Sequence, residues 1–190
     1  MKKIFIISLL SLFLLTGCGN DMSPTGAVEK FLSRYQKMDS EVLSQLDKVV
    51  SEDNEMSDDQ KKEYKALMER QYQNMDYKIK NEEIEGDYAT VDVEIEVFDY
   101  ASSIEKSNQY YNDNKDMFDE VSHEENVDRD DGNIIDISSR FIDYKIEQMK
   151  NVSDKIKYTL TFELEKKDKE WKVLEISDID RKKLHGLFSE

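Results

Sequence analysis

The chain is poor in the residues that most active sites and compact disulfide folds are built from. It has one cysteine, one proline, six glycines and two histidines in 190 residues. A single thiol excludes an intramolecular disulfide. Scarce glycine leaves no loop able to cradle a phosphate. His123 and His185 lack a helical HxxxH partner, so no zinc site is expected, and each reads as a lone surface histidine. No thiol other than Cys18 and no serine in a strand–turn–helix elbow offers a nucleophile. Positive charge is also short: 27 Lys and Arg face 43 Asp and Glu, a net charge of −16. Such a surface repels phosphate backbones, which excludes nucleic acid as a partner. Basic peptides, cations and basic protein surfaces remain compatible. Long apolar runs are absent after the first twenty residues.

Those twenty residues read MKKIFIISLLSLFLLTGCGN. Lys2 and Lys3 precede an apolar run from Ile4 to Leu15, interrupted by Ser8 and Ser11. This is the layout of a secretory signal. The run falls short of the roughly 20 apolar residues that span a bilayer. It ends in Leu15-Thr16-Gly17-Cys18, which resembles the lipobox of bacterial lipoproteins. The resemblance implies cleavage between Gly17 and Cys18 and a diacylglyceryl thioether on Cys18. Two acyl chains give stable anchoring where one is marginal. Loss of residues 1–17 removes two lysines and no acid, deepening the net charge from −16 to −18. Gly19 to Ser23 form a linker that reaches at most about 17 Å, so the domain is expected close to the membrane surface.

From residue 24 to 190 the apolar residues are periodic, which argues for one folded domain rather than disorder. Ser23-Pro24 opens a helix with a serine cap and proline in the first turn. Its stripe is Val28, Phe31, Leu32, Tyr35 and Met38. A second helix from about Ser40 carries Val42, Leu43, Leu46, Val49 and Val50 on one face, before a polar break at Ser51 to Met56. Ser57-Asp58-Asp59-Gln60 fits a capping box, and the third helix presents Tyr64, Leu67, Met68, Tyr72 and Met75. The period then becomes two. Tyr77 and Ile79 start a strand that runs to Glu85, and Gly86-Asp87 makes the turn. Ala89, Val91, Val93, Ile95 and Val97 alternate with polar residues. A second hairpin alternates Tyr158, Leu160, Phe162 and Leu164, turns at Lys166 to Glu170, and returns through Trp171 and Val173. A change of phase at Leu174 predicts a bulge. Between the hairpins, residues 99–152 form a partly helical insertion. Ile104, Tyr111 and Phe118 recur at seven, and Asp136 or Ser138 caps a helix bearing Phe141, Ile142, Ile146 and Met149. Leu184, Leu187 and Phe188 form an apolar tail that docks. The expected class is α+β, with N-terminal helices on a curved antiparallel sheet of about four strands.

The segment Pro24-Thr25-Gly26-Ala27-Val28-Glu29-Lys30-Phe31-Leu32 with Tyr35 and Asp39, and the closing Lys169-Glu170-Trp171-Lys172-Val173-Leu174, resemble small Gram-positive lipoproteins with a nuclear-transport-factor-2-like cone. The resemblance implies a sheet wrapped over helices and, in some members, an aromatic-lined pocket with an acid for proton transfer. Tyr35, Tyr64, Tyr77 and Trp171 are the candidates for such a lining, and Asp99 is the candidate acid. Rings at such periodic positions are more often core residues with polar tips at the edge. The long insertion departs from the family pattern.

The acidic stretch His123 to Asn133 is the other candidate site. With Gly132 as the sixth residue of a calcium loop, the first and third positions are Val127 and Arg129, so an EF-hand fails. Asp128, Asp130 and Asp131 offer a loose calcium site at best, and a solvated loop accounts for them better. No cofactor is called for. The leading expectation is a non-enzymatic binding or protein-interaction module, lipid-anchored on the extracytoplasmic face of a cell membrane. A small-ligand pocket protein is the first rival, and a cone-fold isomerase or hydratase the second. Abundant Lys, Asn, Ile and Asp suggest an AT-rich, Gram-positive host.

Overall fold

A computed structural model describes residues 22–119 and 137–189. The signal segment with Gly17 and Cys18, and the acidic stretch with His123, Asp128, Asp130 and Asp131, lie outside the described residues. The element order is α1 (Pro24–Gln36), α2 (Ser40–Glu52), α3 (Asp58–Gln73), β1 (Asp76–Glu85), β2 (Tyr88–Phe98), α4 (Tyr100–Asp113), α5 (Lys115–Asp119), α6 (Ile137–Lys150), β3 (Lys155–Lys167), β4 (Glu170–Val173) and α7 (Asp178–Leu184). The fold is α+β, with three helices preceding a curved antiparallel sheet of order β1-β2-β3-β4. Among the described residues no helix is long and apolar enough to cross a membrane.

Local chemistry sets the helix starts. Ser23 Oγ accepts from Gly26 N at 3.0 Å, with Pro24 at the first position. Asp39 Oδ1 accepts from Glu41 N and Val42 N, opening α2. The capping box at Ser57 forms in both directions, Gln60 N donating to Ser57 Oγ and Ser57 N to Gln60 Oε1. Met38 does not extend the α1 stripe, because it sits at φ 55 in the tight corner between α1 and α2. Arg34 Nε braces that corner on Asp39 Oδ2 at 2.7 Å, and Arg34 also pairs with Glu41. The polar break after α2 begins later than the sequence suggests, since Ser51 and Glu52 are still helical.

Strands β2 and β3 pair over eleven residues, from Tyr88↔Glu165 to Phe98↔Lys155. Ala89, Val91, Val93, Ile95 and Val97 face inward with Leu160, Phe162 and Leu164, all buried. A bulge lies in β1, between Ile79 and Asn81, and none is needed at Val173. There β4 simply ends, and Leu174 N makes one last bond to Glu163 O at 2.8 Å. The two-residue turn Asp168-Lys169 has positive φ at both positions, 54 and 69. That backbone matches the strand twist but is more natural to Asn-Gly than to Asp-Lys.

The core has two parts. In one, α1 lays Ala27, Val28 and Leu32 on the inner sheet face, and Leu184 of α7 joins them. In the other, α2, α3, α4 and α6 pack Val42, Leu46, Val50, Leu67, Met68, Tyr72, Tyr100, Ile146 and Met149 around Phe98 at the end of β2. Tyr35 touches both. The insertion is therefore not an ornament, because α4 and α6 supply part of the second core. Of its expected caps, Asp136 lies outside the described residues and Ser138 lies within α6. The apolar tail docks as expected: Leu187 packs on the second core, and Tyr158 Oη donates to Phe188 O at 2.8 Å.

Candidate functional site

Helices α2, α3, α4 and α6 do not close completely over the second core. They leave an open groove of about 270 Å³, floored by Val50, Ile146 and Met149. Val49, Met56, Ile104 and Ile142 form its sides. The stripe of α2 explains the opening. Val42, Leu46 and Val50 point inward, while Val49 stands 67% exposed at the groove's lip. Its spacing places Val49 on the buried face, yet nothing among the described residues covers it. Tyr64 of α3 also lines the groove, and burial raises its phenol pKa, with the Asp53 charge adding to the effect. Asp53 Oδ1 accepts from Glu55 N and Met56 N at 2.8 and 2.9 Å, fixing the turn after α2. Lys145 of α6 lies across the groove, with its ammonium 4.6 Å from the centre of the Phe141 ring.

Two buried amides hold these helices in place. Gln60 Nε2 reaches Ser139 O at 2.9 Å and Asp143 Oδ1 at 2.7 Å, tying the start of α3 to α6. Gln71 Nε2 donates to Phe98 O at 3.1 Å and Gln71 Oε1 accepts from Phe98 N at 2.9 Å. That two-point clamp fixes the end of β2 against α3. Sequence reasoning missed both residues. The signal was present: Gln60, Tyr64, Leu67, Met68 and Gln71 share one helical stripe, and a polar residue on an apolar stripe must find a partner.

The four aromatic candidates do not converge on this groove. Tyr64 lines it. Tyr35 packs edge-on against Tyr72 at 5.1 Å, while Tyr77 and Trp171 pack against the sheet-side core. Of the four candidate rings, Tyr64 lines the groove and the other three lie in core packing. Asp99 lines a separate polar cleft with Lys106, Gln148 and Asp154. Its carboxylate caps α4, accepting from Ser102 N at 3.0 Å and Ser102 Oγ at 2.6 Å.

His185 is not a surface residue. It is half-buried beside Tyr72, whose Oη is 3.2 Å from His185 Nε2. Desolvation, then the nearby Arg181 charge, pulls its pKa down to about 4. The imidazole is neutral at pH 7. Among the described residues no group of three His, Cys, Asp or Glu could hold a metal ion. A further cluster went unforeseen: Tyr110, Tyr111, Phe118, Phe141 and Tyr144 stack where α4, α5 and α6 meet.

Comparison of the chain with protein-family models, with curated proteins and with solved structures gives no match.

Proposed function

We propose that this chain is a lipid-anchored interaction module on the outer face of a Gram-positive cell membrane, binding apolar side chains of a partner in the groove between α2, α3, α4 and α6. The anchor part of the reading rests on Leu15-Thr16-Gly17-Cys18 and on the five residues that separate Cys18 from Pro24 in the sequence. The cone likeness fits α1 lying on a curved sheet, and the helical insertion goes beyond it.

The observation that carries the binding reading is the groove itself. Its volume, about 270 Å³, falls below the roughly 300–1,000 Å³ usual for small-ligand pockets. It is also open to solvent, with Val49 exposed at its edge. A site of that size suits one or two side chains projecting from a larger surface better than an enclosed ligand. Asp99, the candidate acid of the enzyme rival, does not line this groove: it caps α4 and faces a separate polar cleft.

Val49 offers the cleanest test, since an exposed side chain can be changed without disturbing the core. A photo-crosslinking residue at 49 in the membrane-anchored chain should capture a partner, and the same residue at Glu63 on α3 should not. Equal capture at both positions would remove the groove from the argument. A small molecule retained by the purified chain in native mass spectrometry would favour the ligand-pocket rival. Cys18→Ser should abolish acyl labelling and release the chain from the membrane; unchanged labelling would overturn the anchor.

A further inference from the structure

The walls of the groove are chemically unequal. On the α2–α3 side the lining holds Asp53 and Glu55 and no cation; Glu52, Asp58 and Asp59 flank them in sequence outside the lining, and the Lys61 ammonium donates to Ser51 O at 3.3 Å behind them. Glu52 and Glu55 are exposed, and neither side chain has a hydrogen bond or ion pair among the described residues. Asp53 keeps one carboxylate oxygen free of the turn it fixes. The opposite wall contributes Lys145, whose ammonium already faces the Phe141 ring. An apolar groove with two carboxylates, Asp53 and Glu55, at its α2–α3 edge is therefore open to solvent on a molecule of net charge −16.

We propose that the occupant of the groove is a cationic amphipathic helix, presenting one or two aliphatic side chains to the Val50–Ile146–Met149 floor and Lys or Arg to the α2–α3 connection. This rests on the groove being an interaction site and names the chemistry of its partner. Helix-in-groove recognition places apolar anchors at i, i+3 and i+4 along one face, and a groove open to solvent has room for one or two of them. Charge complementarity directs the rest. Unpaired carboxylates beside an apolar trough attract cations, disfavour acidic partners and raise the association rate. Val49, exposed at the lip, extends the apolar contact beyond the floor.

The test uses the mature lipidated chain in neutral phosphatidylcholine nanodiscs and three synthetic 18-residue helical peptides with the same leucine face. Their polar faces carry lysine, glutamine or glutamate. Fluorescence anisotropy should show the lysine peptide bound at least tenfold more tightly than the glutamine peptide, and the glutamate peptide not bound. Two variants locate the site. The double variant Glu52→Lys/Glu55→Lys should weaken the lysine peptide tenfold or more. It should fold, because both positions are exposed and a cation at the end of α2 suits the helix dipole. Val49→Ser should weaken the lysine and glutamine peptides alike, by about threefold. Equal binding of lysine and glutamine peptides, both sensitive to Val49→Ser, would overturn the cationic partner and keep the groove. A lysine peptide indifferent to the double variant and to Val49→Ser would show only diffuse attraction to an acidic chain and overturn the proposal. Binding of none of the three would overturn the cationic helix, and the crosslink at position 49 would then decide the groove reading by itself.

Discussion

Gly186 is the most tightly enclosed of the described glycines. Its φ is +69, and a Cβ there would overlap Phe98 O and Gln71 Nε2, the two ends of one hydrogen bond. Its own carbonyl accepts from Ala101 N at 2.8 Å. One glycine thus lets the C-terminal turn, α3, the end of β2 and the start of α4 meet. Gly186→Ala must either push the turn away or open the Gln71 clamp. The expected loss is about 2–4 kcal/mol, from a strained φ plus a displaced buried hydrogen bond. Urea unfolding would measure it, and a loss below about 0.5 kcal/mol would mean the turn moves freely. Next to it, His185 sets an acid sensitivity. Its folded pKa, about 4, lies below the unfolded value near 6.5, so the native state binds fewer protons. Stability is therefore unaffected above pH 6.5 and is lost as the pH falls from 6.5 towards 4. His185→Gln keeps a partner for Tyr72 and removes the titration. Relative to that variant, the natural chain should lose about 2 kcal/mol between pH 7 and 4.5. A difference independent of pH would refute the burial of the imidazole. Neither residue was legible in the sequence. A glycine beside a histidine near a chain end has no pattern of its own; both are defined by segments 27 and 113 positions apart, Gln71 from Phe98 and Tyr72 from His185.

Elements were legible where their information is local. The caps at Ser23 and Ser57 are satisfied within three residues, so the sequence alone specifies them. Strands β2 and β3 announce themselves because one face of each is buried and the other solvated. Strand β1 loses its alternation after Ile79, because it is an edge strand and its last six residues are exposed on both faces. The groove was invisible for a different reason. Spacing puts Val49 on the apolar stripe of α2, but only the placement of α6 decides whether anything covers it. The insertion was the hardest segment to read and became structural. Phe98 and Lys155 are already paired across the sheet, so a short turn could replace residues 100–153 without straining β2 or β3. Such a deletion would leave Leu46, Val50, Leu67 and Met68 without Tyr100, Ile146 and Met149. We expect the deleted chain to retain far-UV circular dichroism, lose its near-UV signal and bind the dye ANS, as a chain with unpacked helices does. Cooperative unfolding of the deletion would show that the sheet half folds alone. At the other hairpin, Lys169→Gly should stabilise by up to about 1 kcal/mol, because glycine adopts the φ of 69 without strain.

At the scale of the whole molecule, charge has two opposed effects and magnitude decides between them. Exposed ion pairs such as Lys150–Glu63, Lys80–Glu94 and Arg181–Glu175 are individually worth about 0–1 kcal/mol. Salt weakens them. Against them stands the mutual repulsion of a chain with 43 acids and 27 bases, which acts over the whole surface. Contact pairs a few ångströms apart are screened least, whereas repulsion between distant carboxylates is largely gone once the Debye length falls to about 10 Å. Raising sodium chloride from about 10 to 150 mM should therefore increase the thermal midpoint by a few degrees. The same salt should weaken a cationic partner at the α2–α3 wall, so stability and affinity should move in opposite directions over one titration. The double variant Glu52→Lys/Glu55→Lys separates the two effects. It reduces the net negative charge by four, so its midpoint should be higher at low salt and rise less on adding salt. Its affinity for the lysine peptide should already be low and change little. A midpoint that falls with salt in the natural chain would mean that the ion pairs outweigh the repulsion, and that the acidic surface is held in place by its own lysines.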